Sequence, residues 1–281
     1  MEIHPEPDWE VFFSELKKYK GTAVLLGATD SGKSTLAKYL TKKLIGDTIM
    51  VSVVDADVGQ SSLGLPGTIS MKVFSDEKDI EHYTFEKMFF VGSTNPAKKI
   101  SLMVDGSKRM VDICRDKSEI IFVDTTGLIT GEIGRALKIG KIRAIKPEHI
   151  IALQRNDELE HILRLVEHGV IHRIGVSIMA KSRYRVNRVR YREKKFLDYF
   201  DEKMSSEFLV YQHDVAFFYN GKYFCLKNGD FKSGTIIGLN HNDDTLALGV
   251  IVEITEDSVI FKSPLRSLRG INRVLFSEMT L

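Results

Sequence analysis

Cysteine is scarce: the 281 residues hold only Cys114 and Cys225, far apart and in no C-x-x-C pair. That spacing argues against a disulfide framework and a structural zinc site, and leaves the expectation of two buried thiols. Apolar runs long enough for a membrane span are also missing, so no membrane partner is expected. The first residues, Met-Glu-Ile-His-Pro-Glu-Pro, are acidic and carry no signal-peptide apolar stretch, which points to a cytoplasmic protein. There is no internal repeat, low-complexity tract or long linker. Excess charge is lacking too, since the formal net charge is +2 and by itself names no nucleic-acid partner.

What charge there is lies unevenly. Residues 181–195 contain eight basic residues and one acid, leaving 32 basic and 37 acidic residues elsewhere. Such a segment suits an anion-binding lid or a polyanion track, although a charge run is ordinarily a solvated helix face. Arginine outnumbers lysine there by five to three, and guanidinium forks match phosphoryl oxygens well. Val189, Phe196 and Phe200 keep an apolar stripe, while Arg188 and Arg192 lie four apart on one side of the same helix.

Gly27-Ala28-Thr29-Asp30-Ser31-Gly32-Lys33-Ser34 spells G-x-x-x-x-G-K-S, and Thr35 follows it into a helix. Glycines let such a loop turn sharply and bring backbone N–H groups close to phosphate oxygens. Lys33 then reaches the β and γ phosphates, Ser34 offers a hydroxyl to Mg²⁺, and the next helix points its N-terminus at the anion. The context fits: Thr22 to Leu26 read as a buried strand, and Leu36, Ala37, Leu40 and Leu44 mark one helical face. A bound nucleoside triphosphate, ATP or GTP, with Mg²⁺ is therefore expected.

Further strands are expected at Ile49 to Val54, Ile120 to Val123, His149 to Leu153 and Val170 to Ile174, alternating with helices. The first helix carries Trp9, Phe12, Phe13 and Leu16 on its apolar face, with Asp8 as its cap. This is an α/β pattern, a P-loop fold with a mainly parallel, doubly wound sheet, with a β excursion within residues 68–91. After about residue 205 short strands and turns (Asn220-Gly221, Asn228-Gly229, Asn242-Asp243-Asp244) read as a small all-β domain. The expected division is a P-loop domain over 1–204, including an Arg-rich lid at about 181–204, and a β-rich accessory domain over 205–281.

Ligands on such sheets collect at the carboxyl ends of the strands. There Asp55 and Asp57, two apart and so on one strand face, fit one metal-side carboxylate and one proton acceptor, or else both cap a loop. Asp124, closing the strand Ile120 to Val123, fits a second Mg²⁺-side acid beside Ser34, and Gly127 in Asp124-Thr125-Thr126-Gly127 allows close approach to the γ phosphate. Gln154-Arg155-Asn156-Asp157 is a degenerate guanine-reading motif, so Asp157 is a candidate contact to the base.

Together these residues resemble the polynucleotide 5′-hydroxyl kinases of RNA processing, which act in tRNA splicing, pre-mRNA 3′-end cleavage and pre-rRNA processing, and most of all their stand-alone archaeal members. The resemblance runs over about residues 20–205, through Asp55-Ala56-Asp57-Val58-Gly59-Gln60, Leu65-Pro66-Gly67-Thr68-Ile69, Val91-Gly92-Ser93-Thr94-Asn95-Pro96, Thr125-Thr126-Gly127 and the lid ending in Asp198-Tyr199-Phe200. It implies transfer of a γ phosphate to the 5′-hydroxyl end of RNA or DNA. It further implies Asp57 as base, Asp55 as metal support, Gln60, Thr94, Thr125, Thr126 and Gly127 along the acceptor, and Arg188 and Arg192 bracing the phosphoryl group. Leu128 stands where the eukaryotic T-x-G-W clasp has an aromatic, which implies base stacking that is weaker there or comes from another residue. A GTPase-like regulatory switch and a non-catalytic, nucleotide-bound RNA-processing scaffold are the alternatives.

Overall fold

The computed structural model describes residues 5–180, 184–201 and 205–281. Strand β1 (Gly21–Gly27) begins after helix α1 (Pro7–Tyr19) and leads through the phosphate loop into α2 (Lys33–Gly46). Then follow β2 (Val51–Ala56), β3 (Thr68–Phe74), the short α3 (Glu77–Glu81), β4 (Lys87–Phe90) and α4 (Ile100–Arg115). The α/β part is completed by β5 (Ile120–Thr125), α5 (Gly131–Ile145), β6 (His149–Gln154), α6 (Glu160–Leu163), β7 (Val170–Gly175) and α7 (Arg185–Tyr199).

The sheet runs β4-β3-β2-β5-β1-β6-β7, with β2, β5, β1, β6 and β7 parallel and the β3–β4 excursion antiparallel at one side. Its central strands are nearly continuous apolar runs because both faces are covered. Along β1, Val24 and Leu26 face one core with Met103, Met110, Val111, Leu137 and Ile142 of α4 and α5. Ala23 and Leu25 face the other with Trp9, Phe12 and Leu16 of α1 and Leu36, Leu40 and Leu44 of α2. The three-layer α/β architecture matches the expectation from alternating strands and helices. Two details differ. α1 starts on Pro7, with Glu6 at the cap position, and Asp8 lies inside the first turn without capping it, since proline preorganises the first helical residue. Cys114 is buried and its thiol is pushed up to about 11 by desolvation, but Cys225 is only half-buried and accepts a hydrogen bond from Gln212 Nε2 at 3.3 Å.

The carboxyl-terminal part is all β: β8 (Ser206–Tyr211), β9 (Ala216–Tyr219), β10 (Lys222–Tyr223), β11 (Thr235–His241), β12 (Asp244–Ile254), β13 (Ser258–Ser263) and β14 (Arg273–Thr280). Asn220 and Gly221, both in the left-handed region, turn β9 into β10. These strands enclose their own core around Phe217, Leu239, Phe261 and Phe276. A single strand pair, Thr245 opposite Met88, joins β12 to β4, reinforced by Phe90 N–H donating to Thr245 Oγ1 at 3.0 Å. Leu65, Met88, Phe90, Phe196, Ile236 and Leu248 form a further apolar cluster between the two parts. The lid residues 181–183, and residues 202–204 next to the expected division, lie outside the described residues.

Candidate active site

Gly27 closes β1 where a side chain has no room, since a Cβ would overlap Ser31 Oγ and stand 2.9 Å from Leu153 O. Asp30 and Gly32 take left-handed conformations, which wrap the loop and start α2. Inside that wrap Lys33 is almost fully buried, with Nζ donating to Gly27 O at 3.0 Å and Ala28 O at 2.7 Å and lying 3.4 Å from Ser31 Oγ. Burial pushes its pKa down, opposed by the charges of Asp124, Asp57 and Asp30. Thr29 is exposed at the loop tip and packs on Gly127 so closely that a Cβ on that glycine would overlap it; Thr35 is half-buried in the first turn of α2.

Ser34 Oγ donates to Asp124 Oδ2, across from the end of β5. Asp124 Oδ1 is buried and, among the described residues, has no hydrogen-bond partner. Burial first, and then repulsion from Asp55, push the Asp124 carboxyl up to about 7, against the pull of Lys33. An orphaned carboxylate oxygen beside a serine hydroxyl fits a Mg²⁺ held by one carboxylate, a hydroxyl and substrate phosphates. No group of three or more acidic, histidine or cysteine side chains set for a metal occurs among the described residues.

The expected metal role of Asp55 is not what the geometry favours. Its Oδ1 accepts from Asp57 N–H at 3.1 Å, and Oδ2 accepts from Ser61 Oγ at 3.0 Å, Ser62 N–H at 2.6 Å, Ser62 Oγ at 3.3 Å and Leu63 N–H at 2.9 Å. Fully desolvated, its pKa is raised even against those hydrogen bonds, and it acts as the anchor of the loop that follows β2. Asp57 lies beyond the end of the strand. Its Oδ1 accepts from Gly59 N–H and Gln60 N–H, both at 3.0 Å, while Oδ2 accepts no hydrogen bond among the described residues. Gln60 Nε2 donates to Gly59 O at 2.7 Å, and its buried Oε1 has no partner among those residues. Thr94 is half-buried on a loop whose backbone oxygen stands 3.2 Å from where a Cβ on Gly59 would be.

Thr125 does not line an open acceptor surface. It is fully buried, its Oγ1 donating to Leu25 O at 2.6 Å and accepting from Lys138 Nζ at 2.7 Å. Lys138 also donates to Thr126 O, so a buried lysine nitrogen holds the segment before Gly127. Asp157 is exposed past β6, in a turn ordered by Glu158, which accepts from Arg155 N–H and Asn156 N–H at 2.9 Å. Because Leu153 of β6 pairs with Gly27 of β1, this turn leaves the sheet at the same edge as the phosphate loop.

Helix α7 lies over both loops. Arg188 Nη2 pairs with Asp30 Oδ2 at 2.6 Å, so that fork is tied to the phosphate loop, with Nε buried and unpartnered among the described residues. Arg192 is half-buried and makes no side-chain hydrogen bond or ion pair among those residues. Tyr191 OH donates to Ser61 O at 3.0 Å and Lys195 Nζ to Ser62 O at 3.2 Å and Gly64 O at 2.7 Å, two lid contacts that sequence reasoning did not single out.

It also missed Lys138 and Lys141, both completely buried on α5. The signal was present: positions 134, 137, 138, 141, 142 and 145 share one helical face, and two lysines fall inside that otherwise apolar stripe. Desolvation drives Lys138 well down and Lys141 down to about 8, with Asp57, Asp124 and Asp55 pulling Lys141 the other way. A lysine whose folded pKa lies below its unfolded value contributes stability above pH 10.5 that is lost as pH falls through about 8. Lys141→Met is therefore expected to raise the unfolding free energy at pH 7 by about 1–3 kcal/mol. The advantage shrinks between pH 8 and 10.5, and denaturant melts across that window check it. An advantage independent of pH would assign the gain to packing instead.

A family model described as the mRNA cleavage and polyadenylation factor CLP1 P-loop matches residues 27–202. A polyribonucleotide 5′-hydroxyl-kinase of Methanocaldococcus jannaschii is 42% identical over 182 residues, covering 63% of this chain and 49% of that protein. One from Pyrococcus horikoshii is 36% identical over 198 residues, covering 70% of this chain and 54% of that protein. The chain thus spans about half the length of these curated relatives. Among solved structures, a wild-type Clp1p–Pcf11p complex superposes with a TM-score of 0.77 at 12% identity, covering 97% of this chain and 78% of that one, a likeness of fold.

Proposed function

The chain belongs to the CLP1 P-loop family, and from that premise and the site geometry we propose that it transfers the γ-phosphoryl group of a nucleoside triphosphate to the 5′-hydroxyl end of RNA. The observation that carries the reading is Asp57: one carboxylate oxygen fixes the loop and the other is left open, beside the loop that holds Lys33 and the Ser34–Asp124 pair. Nucleotide binding alone has no use for that second acid. The free oxygen of Asp57 takes the proton of the acceptor hydroxyl while the 5′-oxygen bonds to the γ phosphorus and the bond to the leaving β–γ oxygen breaks. Lys33 balances the charge on the transferring and leaving oxygens. Ser34 and Asp124 would hold Mg²⁺, which when bound neutralises phosphate charge. Arg192, half-buried and without a protein partner among the described residues, is a lid group available to the phosphoryl oxygens, while Arg188 locks lid to loop through Asp30.

The test is transfer of labelled γ phosphate from ATP or GTP to RNA and DNA oligomers bearing a 5′-hydroxyl. Arg192→Ala is expected to lower kcat by about 10²-fold or more. Arg188→Ala, which unties the lid, is expected to act mainly through the nucleotide KM. Hydrolysis without transfer would point to a switch, and retained triphosphate without turnover to a scaffold. Asp157 belongs to the donor side of the proposal, as a contact to a guanine base; equal use of ATP and GTP by Asp157→Ala and the parent would remove it.

A further inference from the structure

A cavity of about 430 Å³ lies between α4, β4 and the carboxyl-terminal strands. Its floor is one face of the β14–β11 ladder, where Arg273 pairs with Asn240 and Leu275 with Gly238, and Phe218 of β9 lies beside Leu275. Asn240 is 3% exposed, and its Oδ1 is buried with no hydrogen-bond partner among the described residues. Its neighbour on the same face, Gly238, lies so close to Phe90 that a Cβ would stand 2.5 Å from Cδ1 of that ring. A buried carboxamide oxygen without a partner is unfavourable unless something else completes it, and Asn240 is among the residues that line this cavity.

The walls indicate what completes it. Phe89, Phe90 and Phe218 provide aromatic surface, with the Arg273 guanidinium 5.5 Å from the centre of the Phe218 ring. The cations at the rim are already engaged: Arg109 with Asp244 at 2.6 Å, Arg273 with Asp243 at 2.7 Å, and Lys99 with Asn220. Two of these three are paired with carboxylates and Lys99 is held by a neutral carboxamide, an arrangement that suits a free phosphate poorly. A neutral planar heterocycle fits better, with rings against its faces and one carboxamide, a donor and an acceptor side by side, at its edge.

The cavity and the acceptor loop are two sides of one segment. Gly92 lines the cavity, and its N–H and that of Val91 donate to Gly67 O at 3.1 and 2.9 Å. Two residues on, Thr94 abuts Gly59 of the Asp57 loop. A strand with its 5′ end at Asp57 would pass over this segment to reach the cavity.

We propose that the cavity binds one nucleobase of the RNA strand, downstream of the 5′ end, with the Asn240 carboxamide hydrogen-bonding its edge. This rests on the reading of the chain as a kinase of RNA ends. A carboxamide carries a donor and an acceptor side by side, and so does the exposed edge of an unpaired base.

The experiment is a ladder of 5′-hydroxyl oligoadenylates from two to twelve nucleotides, with KM and kcat measured for the parent, Asn240→Leu and Phe218→Leu. For the parent, KM is expected to drop at one step of the ladder. Both variants are expected to lose that step, raising KM for long substrates by about tenfold while leaving kcat and the shortest substrate unchanged. Identical ladders for parent and variants would overturn the assignment. The two variants remove different groups, so failure of one to fold leaves the other to decide. If no oligomer is phosphorylated, the kinase reading fails separately, and the cavity is then judged by anisotropy of a labelled twelve-nucleotide oligoadenylate, which Asn240→Leu should weaken about tenfold. Unchanged anisotropy would overturn the site. A rise in melting temperature with free adenosine monophosphate, abolished in Asn240→Leu and without any length step, would assign the cavity to a free nucleotide and overturn the strand reading.

Discussion

Lys33→Met is expected to lower phosphoryl transfer by about 10³-fold or more while the protein still folds. Lys33 is buried in a loop of backbone carbonyls, with Nζ at 3.0 Å from Gly27 O and 2.7 Å from Ala28 O. Its charge is disfavoured by desolvation and retained through Asp124, Asp57 and Asp30. A cation kept in so dry a place interacts strongly with charge that develops on phosphate oxygens, because little water is present to screen it. Methionine matches the stem and removes only the ammonium, so circular dichroism and melting should change little. Lys33→Arg is expected to fail as well, since a planar guanidinium is too wide for the pocket that an almost fully buried Lys33 fills. Transfer by Lys33→Met within tenfold of the parent would remove Lys33 from the reaction.

Asp57→Asn is the second large effect, expected to lower kcat by about 10²–10⁴-fold with KM for RNA within about threefold. Asparagine keeps an oxygen for Gly59 N–H and Gln60 N–H, so the loop cap survives and only the ability to take a proton is lost. Asp57→Ala loses both and should also cost about 1 kcal/mol of stability. Comparing kcat with unfolding free energy for the two variants separates base from cap. If Asp57→Asn turns over like the parent, Asp57 is a cap alone and the acceptor proton leaves by another route.

Much of this was readable in the chain because it depends on local spacing. The G-x-x-x-x-G-K-S run, the apolar strand before it and the 36-37-40-44 stripe after it are short-range patterns, and they appear as β1, loop and α2. The two aspartates show where a periodic argument ends. Alternation puts Asp55 and Asp57 on one face only while the strand continues, but β2 stops at Ala56, so one carboxylate turns into the loop anchor and the other belongs to the loop. The resemblance of its motif implies Thr125 as an acceptor contact, yet its hydroxyl is bound between β1 and α5, a tertiary relation invisible in order along the chain. The same holds for Arg188 with Asp30, 158 residues apart, and for Lys195 with Gly64, 131 apart.

The five donors gathered on Asp55 have a consequence for timing. Fixing one residue's backbone costs about 1–2 kcal/mol in conformational entropy, so residues 57–63 would take several times that if they were shaped only when RNA arrived. Stitched to one buried carboxylate, the loop is shaped when the chain folds. On the proposed reading, an incoming 5′ end would meet a surface already set, and none of its binding energy would go into forming that loop.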